Sequence, residues 1–197
     1  MNLPNKLSLF RVILVPIIAI IYLFIDFGTA FTLNVNASKI LCVEWKEIIV
    51  LILFAIASFT DYLDGMIARK YNLITSFGKF IDPIADKLLV NTMFILFAIH
   101  HRVPVIAVIV MIWRDMIVDG LRMSASSKGK VVAAGMPGKV KTVLQMFAII
   151  FVMLHNVPFI FINIPMDQIL VWAATIASVY SGIIYFVKLK DVVMETM

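Results

Sequence analysis

The chain has 197 residues, of which 62% are hydrophobic and 15% charged, with a formal net charge of +5. Soluble domains are about 45–50% apolar and about 25% charged, so this composition excludes an ordinary water-soluble globule, a disordered chain and a disulfide-stapled secreted module. A single cysteine, Cys42, leaves no internal disulfide to form; what remains is a small polytopic membrane protein.

A helix needs about 20 predominantly apolar residues to cross a bilayer. Six stretches approach that length: 9–27, 47–64, 80–99, 103–123, 139–155 and 167–187. Residues 2–6, with Pro4, read as a short lead-in at the membrane interface. The first span is uncharged over 12–25 and has no small-residue cleavage pattern after it, so it reads as a retained span rather than a signal peptide. Residues 28–46 form the longest connecting loop. The four middle spans are shorter when cut at their charges: 48–59 precedes Asp61, 88–99 follows Lys87, 103–113 precedes Arg114 and 143–154 follows Lys141. Residues 124–138, rich in Ser, Lys and Gly, join the fourth and fifth spans, and the sixth is uncharged over 169–187. No repeat or linker interrupts this pattern, which predicts one all-α domain over 1–197.

If the spans alternate in direction, the four charged ends fall in one half of the membrane. Ionisable groups at membrane depth cost at least about 2.5–3.5 kcal/mol each and face a watery cavity or one another. The pattern therefore predicts a polar chamber opening on one side of a six-helix bundle. Lys39, Lys46 and Arg102 lie on the opposite side, whereas the other fourteen of the seventeen lysines and arginines share the chamber side with both termini. Positive charge collects in the cytoplasm, so the chamber is expected to open inward.

Asp61 and Asp64 end the second span three residues apart, and Asp82 and Asp86 open the third four apart. Each spacing puts two side chains on one helical face, and the two pairs sit at the same depth. Four carboxylates brought together would repel unless some stayed protonated; a divalent cation removes the conflict. Magnesium takes oxygen ligands and combines carboxylates with substrate phosphates. Four carboxylates could hold two Mg2+ or Mn2+ ions about 3.5–4 Å apart, the arrangement used for displacement at phosphorus. A softer metal is not expected, because Cys42, His100, His101 and His155 fall on the far side or at the wrong depth. A structural explanation serves either pair alone: Asp82 before Pro83 is a ready N-cap, and Asp61 and Asp64 could pair with Arg69 or Lys70. Both pairs together, in so sparsely charged a chain, point to an ion site. Between them, Gly65 and Gly78 leave room for a ligand to approach the backbone, and Arg69 offers a fork suited to phosphate.

The stretch Asp61-Tyr-Leu-Asp64-Gly65-Met-Ile-Ala68-Arg69, an eight-residue gap, then Gly78-Lys-Phe-Ile-Asp82-Pro-Ile-Ala-Asp86 resembles the full signature of the CDP-alcohol phosphotransferases, D-x-x-D-G-x-x-A-R followed by G-x-x-x-D-x-x-x-D, at all eight specified positions. The resemblance implies a six-helix, usually dimeric enzyme of the membrane that moves a phosphatidyl group from a CDP-linked lipid to an alcohol and releases CMP. It implies that Asp61, Asp64 and Asp82 bind the metals, and that Asp86 is both a ligand and the general base. It further implies that Gly65, Arg69 and Thr75 hold the cytidine diphosphate portion, with Asn5 a further nucleotide contact. No nucleic-acid partner is expected.

The second cationic group bears on the acceptor: Arg114 and Arg122 at the end of the fourth span, Lys139 and Lys141 at the start of the fifth. Arg114 and Arg122 are eight residues apart, about two helical turns, hence on one face; Asp115 and Asp119 offset part of their charge. Lys128, Lys130, Lys188 and Lys190 are better explained as interfacial anchors. A cationic pocket beside a metal site suits an acceptor that carries its own phosphate. The run Gly135-Met-Pro-Gly138-Lys139 is not a P-loop, because the earlier glycine would fall at Ala133 and no Ser or Thr follows Lys139. Residues 2–11, 114–122 and 134–142 resemble family members that use glycerol 3-phosphate, although Asp115 stands where glutamate is more usual. The expected reaction is transfer from CDP-diacylglycerol to the sn-1 hydroxyl of glycerol 3-phosphate, giving phosphatidylglycerol phosphate and CMP. The alternatives are another acceptor (inositol phosphate, phosphatidylglycerol or serine) or, from a different class, a cation transporter using the four aspartates.

Overall fold

The computed structural model describes residues 2–36, 39–71, 75–127 and 135–194; Lys128, Lys130 and Ala134 lie outside these, as does the side chain of Arg69. Six long helices run α1 Leu3–Phe24, α2 Trp45–Lys70, α3 Ser76–Ile99, α4 Val105–Ser127, α5 Met136–Met153 and α6 Met166–Met194. Four of them are long and apolar enough to cross a membrane by length and composition: Leu3–Phe24, Trp45–Ile67, Met136–Met153 and Met166–Lys190. The expected six spans thus appear as six helices, with the charged ends of α3 and α4 holding those two below that mark.

Local chemistry sets where the helices begin. Pro4 sits in the first turn of α1 after an extended Asn2, a position where a missing N–H costs nothing. The expected interfacial lead-in is therefore already helix. A reciprocal capping box opens α2, in which Glu47 accepts the backbone N–H of Glu44 at 3.1 Å. Thr75 caps α3, its Oγ1 accepting the Gly78 N–H at 3.0 Å. Pro137 follows Gly135 into α5.

Residues 28–46, expected as a loop, instead form an antiparallel hairpin of β1 Thr29–Asn36 and β2 Lys39–Glu44, with Thr32 opposite Cys42 and Leu33 opposite Leu41. β-Branched and aromatic residues at alternate positions favour this. The hairpin packs on α2 and on a short 3-10 helix, Phe159–Ile162.

The helices group as two trios. α1 packs along α2 and α3, α6 packs along α4 and α5, and the trios meet where α3 touches α4 and α5 and α2 touches α5. One continuous core joins them: Leu14, Ile18 and Tyr22 of α1, Val50 and Phe54 of α2, Met93, Phe94 and Phe97 of α3, Met111 of α4, Ile149 and Val152 of α5 and Val171 of α6. The outside is also apolar, with Ile13, Ile17, Ile20, Trp113, Ile117, Ile176, Ile183 and Phe186 all exposed. Helices apolar on both faces are built to lie in hydrocarbon.

At the hairpin end, Glu47 is buried and paired with Arg102 Nη1 and His155 Nε2, each at 2.6 Å. Arg102 also reaches Tyr22 Oη at 3.4 Å and the carbonyl of Val152, while its own carbonyl accepts from Gln168 Nε2 at 2.9 Å. Helices α1, α2, α5 and α6 and the connections after α3 and α5 are tied together at this point, at the opposite ends of α1 and α2 from the four aspartates.

Candidate active site

The signature aspartates converge because α2 ends and α3 begins beside the first turns of α1. Along that stretch of α1, Asn5, Ser8 and Arg11 recur every three residues and are all buried. Arg11, 1% exposed, lies among the four carboxylates: Nη1 contacts Asp61 Oδ1 and lies 2.6 Å from Asp86 Oδ1, while Nη2 lies 2.8 Å from Asp64 Oδ2 and 3.8 Å from Asp82 Oδ1. The Ser8 hydroxyl sits between Asp64 Oδ2 at 3.3 Å and Asp82 Oδ1, and 3.0 Å from the Pro4 carbonyl. Sequence reasoning brought the four acids together but missed Ser8 and gave Arg11 no role beyond membrane orientation. The signal available was their three-residue recurrence, which puts them on one helical face.

Among the described residues no group of three His, Cys, Asp or Glu side chains forms a ready-made cage for an ion; the guanidinium stands among the acids. The donor set itself fits a divalent ion. All four side chains present hard anionic oxygens to a shared cation, and Asp61, Asp82 and Asp86 remain 36%, 45% and 51% exposed. Such oxygens suit Mg2+ or Mn2+ and discriminate against soft metals. Cys42 is exposed on the hairpin and His155 belongs to the Glu47 cluster, both away from this end.

The nucleotide-side residues sit next to the acids. Asn5 is buried, and its Oδ1 accepts from Thr75 Oγ1 at 2.9 Å. A Cβ added to Gly78 would lie 3.0 Å from Asn5 Oδ1, 3.3 Å from Thr75 Oγ1 and 3.8 Å from Asp82 Oδ2. A side chain here would press on Asn5 and Thr75, so Gly78 has a packing reason. Gly65 follows Asp64 on α2 and is half-buried.

Beyond Asp82 and Asp86 opens a cavity of about 370 Å3. Its opposite wall carries Arg114, Val118 and Arg122 from one face of α4 and Lys141 from α5, with Asp115 and Asp119 among them. Arg114 Nη1 and Lys141 Nζ share Asp115, at 2.8 Å from Oδ1 and 2.6 Å from Oδ2 respectively. Lys87, on the acidic wall, pairs with Asp119 across the cavity. Lys139 is exposed and does not line the cavity, so the structure gathers three of the four expected cations and adds Lys87.

The sixth helix, where the sequence offered only hydrophobicity, completes this wall. Arg114 Nε donates to the Ser178 carbonyl at 3.1 Å and Nη2 to Ser181 Oγ at 2.6 Å. The guanidinium carbons of Arg114 and Arg122 stand 5.8 and 5.7 Å from the Tyr185 ring centre, within cation–π range. The Tyr185 hydroxyl accepts the Gly135 N–H at 2.6 Å. A Cβ on Gly182 would meet Arg114 Cγ at 2.9 Å, so that glycine is the notch through which Arg114 crosses from α4 to α6.

Fold and site together define a helical protein of the membrane type, in which Asp82 and Asp86 face Arg114, Arg122 and Lys141 across one cavity. Residues 1–180 match the model of the CDP-alcohol phosphatidyltransferase family. The chain belongs to that family. It is 44% identical over 188 residues, 95% of this chain and 94% of the relative, to the CDP-diacylglycerol–glycerol-3-phosphate 3-phosphatidyltransferase of Bacillus subtilis. Proteins of the same name are 36% identical in Rickettsia felis, over 96% of each chain, and 35% identical in Salmonella choleraesuis, over 75% of this chain and 74% of the relative.

Proposed function

We propose that this protein transfers the phosphatidyl group of CDP-diacylglycerol to the sn-1 hydroxyl of glycerol 3-phosphate, releasing CMP and leaving phosphatidylglycerol phosphate. The observation that carries this reading is the cavity itself, with Asp82 and Asp86 on one wall and Arg114, Arg122 and Lys141 on the other. A small acceptor bearing a phosphate spans such a cavity with its anion on the cations and its hydroxyl toward the acids. The names carried by relatives that match nearly end to end support the same acceptor.

In this reading Asp61, Asp64, Asp82 and Asp86 would hold two divalent ions, Mg2+ or Mn2+, whose charge would offset that of the pyrophosphate and of the leaving CMP. Asp86 lines the cavity and takes the proton from the attacking sn-1 hydroxyl. Asn5, Gly65, Arg69, Thr75 and Gly78 receive the cytidine diphosphate portion. Arg114, Arg122 and Lys141 fix the acceptor phosphate, and its hydroxyl is thereby held toward the lipid-linked phosphorus. An acceptor without a phosphate, such as serine, would bring no matching anion of that kind to the wall.

The same reading has all six helices spanning the membrane, with the charged ends of α3 and α4 sheltered in a chamber open to the cytoplasm. Fourteen of seventeen Lys and Arg on the chamber side support that orientation. The working unit is taken to be a homodimer. The deciding assay measures CMP release from CDP-diacylglycerol by the purified protein, with glycerol 3-phosphate, inositol phosphate, phosphatidylglycerol or serine, with and without chelator. Release with glycerol 3-phosphate alone, lost with chelator and restored by Mg2+ or Mn2+, is the expected result; equal release with every acceptor would overturn it.

A further inference from the structure

The position of Arg11 carries a consequence for how the acidic cluster fills. It is a fully buried guanidinium, and its Nε has no hydrogen-bond partner among the described residues. Its polar hold therefore comes through the two terminal nitrogens, and both are spent on the aspartates. Asp64, only 4% exposed, has Arg11 Nη2, the Ser8 hydroxyl and the Gly65 N–H as partners in place of water. Asp61, Asp82 and Asp86 remain partly exposed, and Asp82 and Asp86 line the cavity. One positive charge among four formal negatives leaves the cluster short of neutral, with the guanidinium on the buried side and the open carboxylate edges on the other.

We infer that Arg11 is the resident counter-cation of the cluster, sharing with any incoming divalent ion the same four carboxylates and so setting how tightly that ion is held. The inference rests on the reading of the aspartates as an ion site. Two consequences follow from Coulomb's law. With the site empty, Arg11 holds together acids that would otherwise repel, and the fold at this end depends on it. With an ion bound, a positive charge a few ångströms away opposes it, so the protein gives up affinity in return for an empty site that stays assembled. The helical register of α1 keeps the guanidinium where both effects operate, while Ser8 on the same face holds Asp64 and Asp82.

The test is Mn2+ binding to purified protein in detergent micelles without substrate, followed by the loss of the free-ion signal in electron paramagnetic resonance, together with Tm in chelator and in Mn2+. Arg11→Gln should bind Mn2+ at least about tenfold more tightly than wild type, melt lower in chelator and gain more in Tm on adding the ion. Arg11→Lys, which keeps the charge and loses the fork, should stay within about threefold of the wild-type affinity. If Arg11→Gln folds only with metal present, its affinity is read from the Mn2+ dependence of Tm. Unchanged or weaker binding by Arg11→Gln overturns the inference and leaves Arg11 as a scaffold for the ligands. Failure of the wild-type protein to bind Mn2+ at all would instead remove the ion site itself.

Discussion

Gly182→Ala is a one-carbon change at a position outside the cavity lining, yet it should act on the acceptor. The added Cβ would stand 2.9 Å from Arg114 Cγ, 3.6 Å from Nε and 3.9 Å from Cδ. Comfortable carbon–carbon separation is about 3.5–4.0 Å, so the stem must retreat by about 0.6–1.1 Å. It is not free to do so, because its head is fixed on Asp115, Ser181 and the Ser178 carbonyl at 2.6–3.1 Å. A retreat of that size breaks at least one hydrogen bond to a charged group, worth about 1.5–3 kcal/mol. Expressed in binding, the lower end of that range is about tenfold. The KM for glycerol 3-phosphate should therefore rise about tenfold or more, with the KM for CDP-diacylglycerol unchanged; Arg114→Ala should split the two constants in the same direction. The control is Gly120→Ala on the exposed side of α4, where an added Cβ meets nothing within 4 Å and better helix propensity should raise stability by about 0.5–1 kcal/mol. If Gly182→Ala leaves both KM values at wild type, or raises them equally, the link from α6 through Arg114 to the acceptor is wrong.

Two further outcomes are expected. Asp86→Asn should abolish CMP release while CDP-diacylglycerol binding stays measurable by equilibrium binding, since a neutral amide keeps the shape of the cavity wall but cannot take a proton; near-normal release would remove Asp86 as the base. Glu47→Gln should lower stability by about 3 kcal/mol, read as Tm in detergent, because it leaves Arg102 and His155 without their anion, and it should leave both KM values alone, since this cluster lies at the far end of the helices from the aspartates.

The part of the site that the sequence spells out is the part made of ionisable residues at helical spacing in an apolar background. Asp61, Asp64, Asp82 and Asp86 stand out for that reason, and the helices carrying them could be counted from their apolar runs. Three things were hidden by the same logic. Arg11 resembles any membrane-flanking cation until α1 is seen to start at Leu3, which turns Asn5, Ser8 and Arg11 inward. Tyr185, Ser181 and Gly182 sit in a run hydrophobic enough to read as lipid-facing throughout, and only the crossing of Arg114 gives them a purpose. Lys139 errs the other way: two positions from Lys141 is about 200° around a helix, so the two lysines cannot serve one wall. The hairpin over 29–44 was obscured because its alternation is short and bounded by longer apolar runs.

The division of the bundle into two trios has a consequence for how activity can be lost. Every acid of the signature belongs to α2 and α3, and the cations on the far side of the cavity belong to α4 and α5 with Tyr185 of α6, so in the proposed reaction donor and acceptor would be gripped by different halves of the molecule. On the cavity side the seam is crossed by Ser58 Oγ to Met146 Sδ at 3.7 Å and by the Lys87–Asp119 pair, whereas the Glu47–Arg102–His155 cluster ties the halves at the other end. Damage confined to that seam would let each substrate dock normally on its own half while the reacting atoms stand too far apart, a defect visible in turnover and silent in every equilibrium titration.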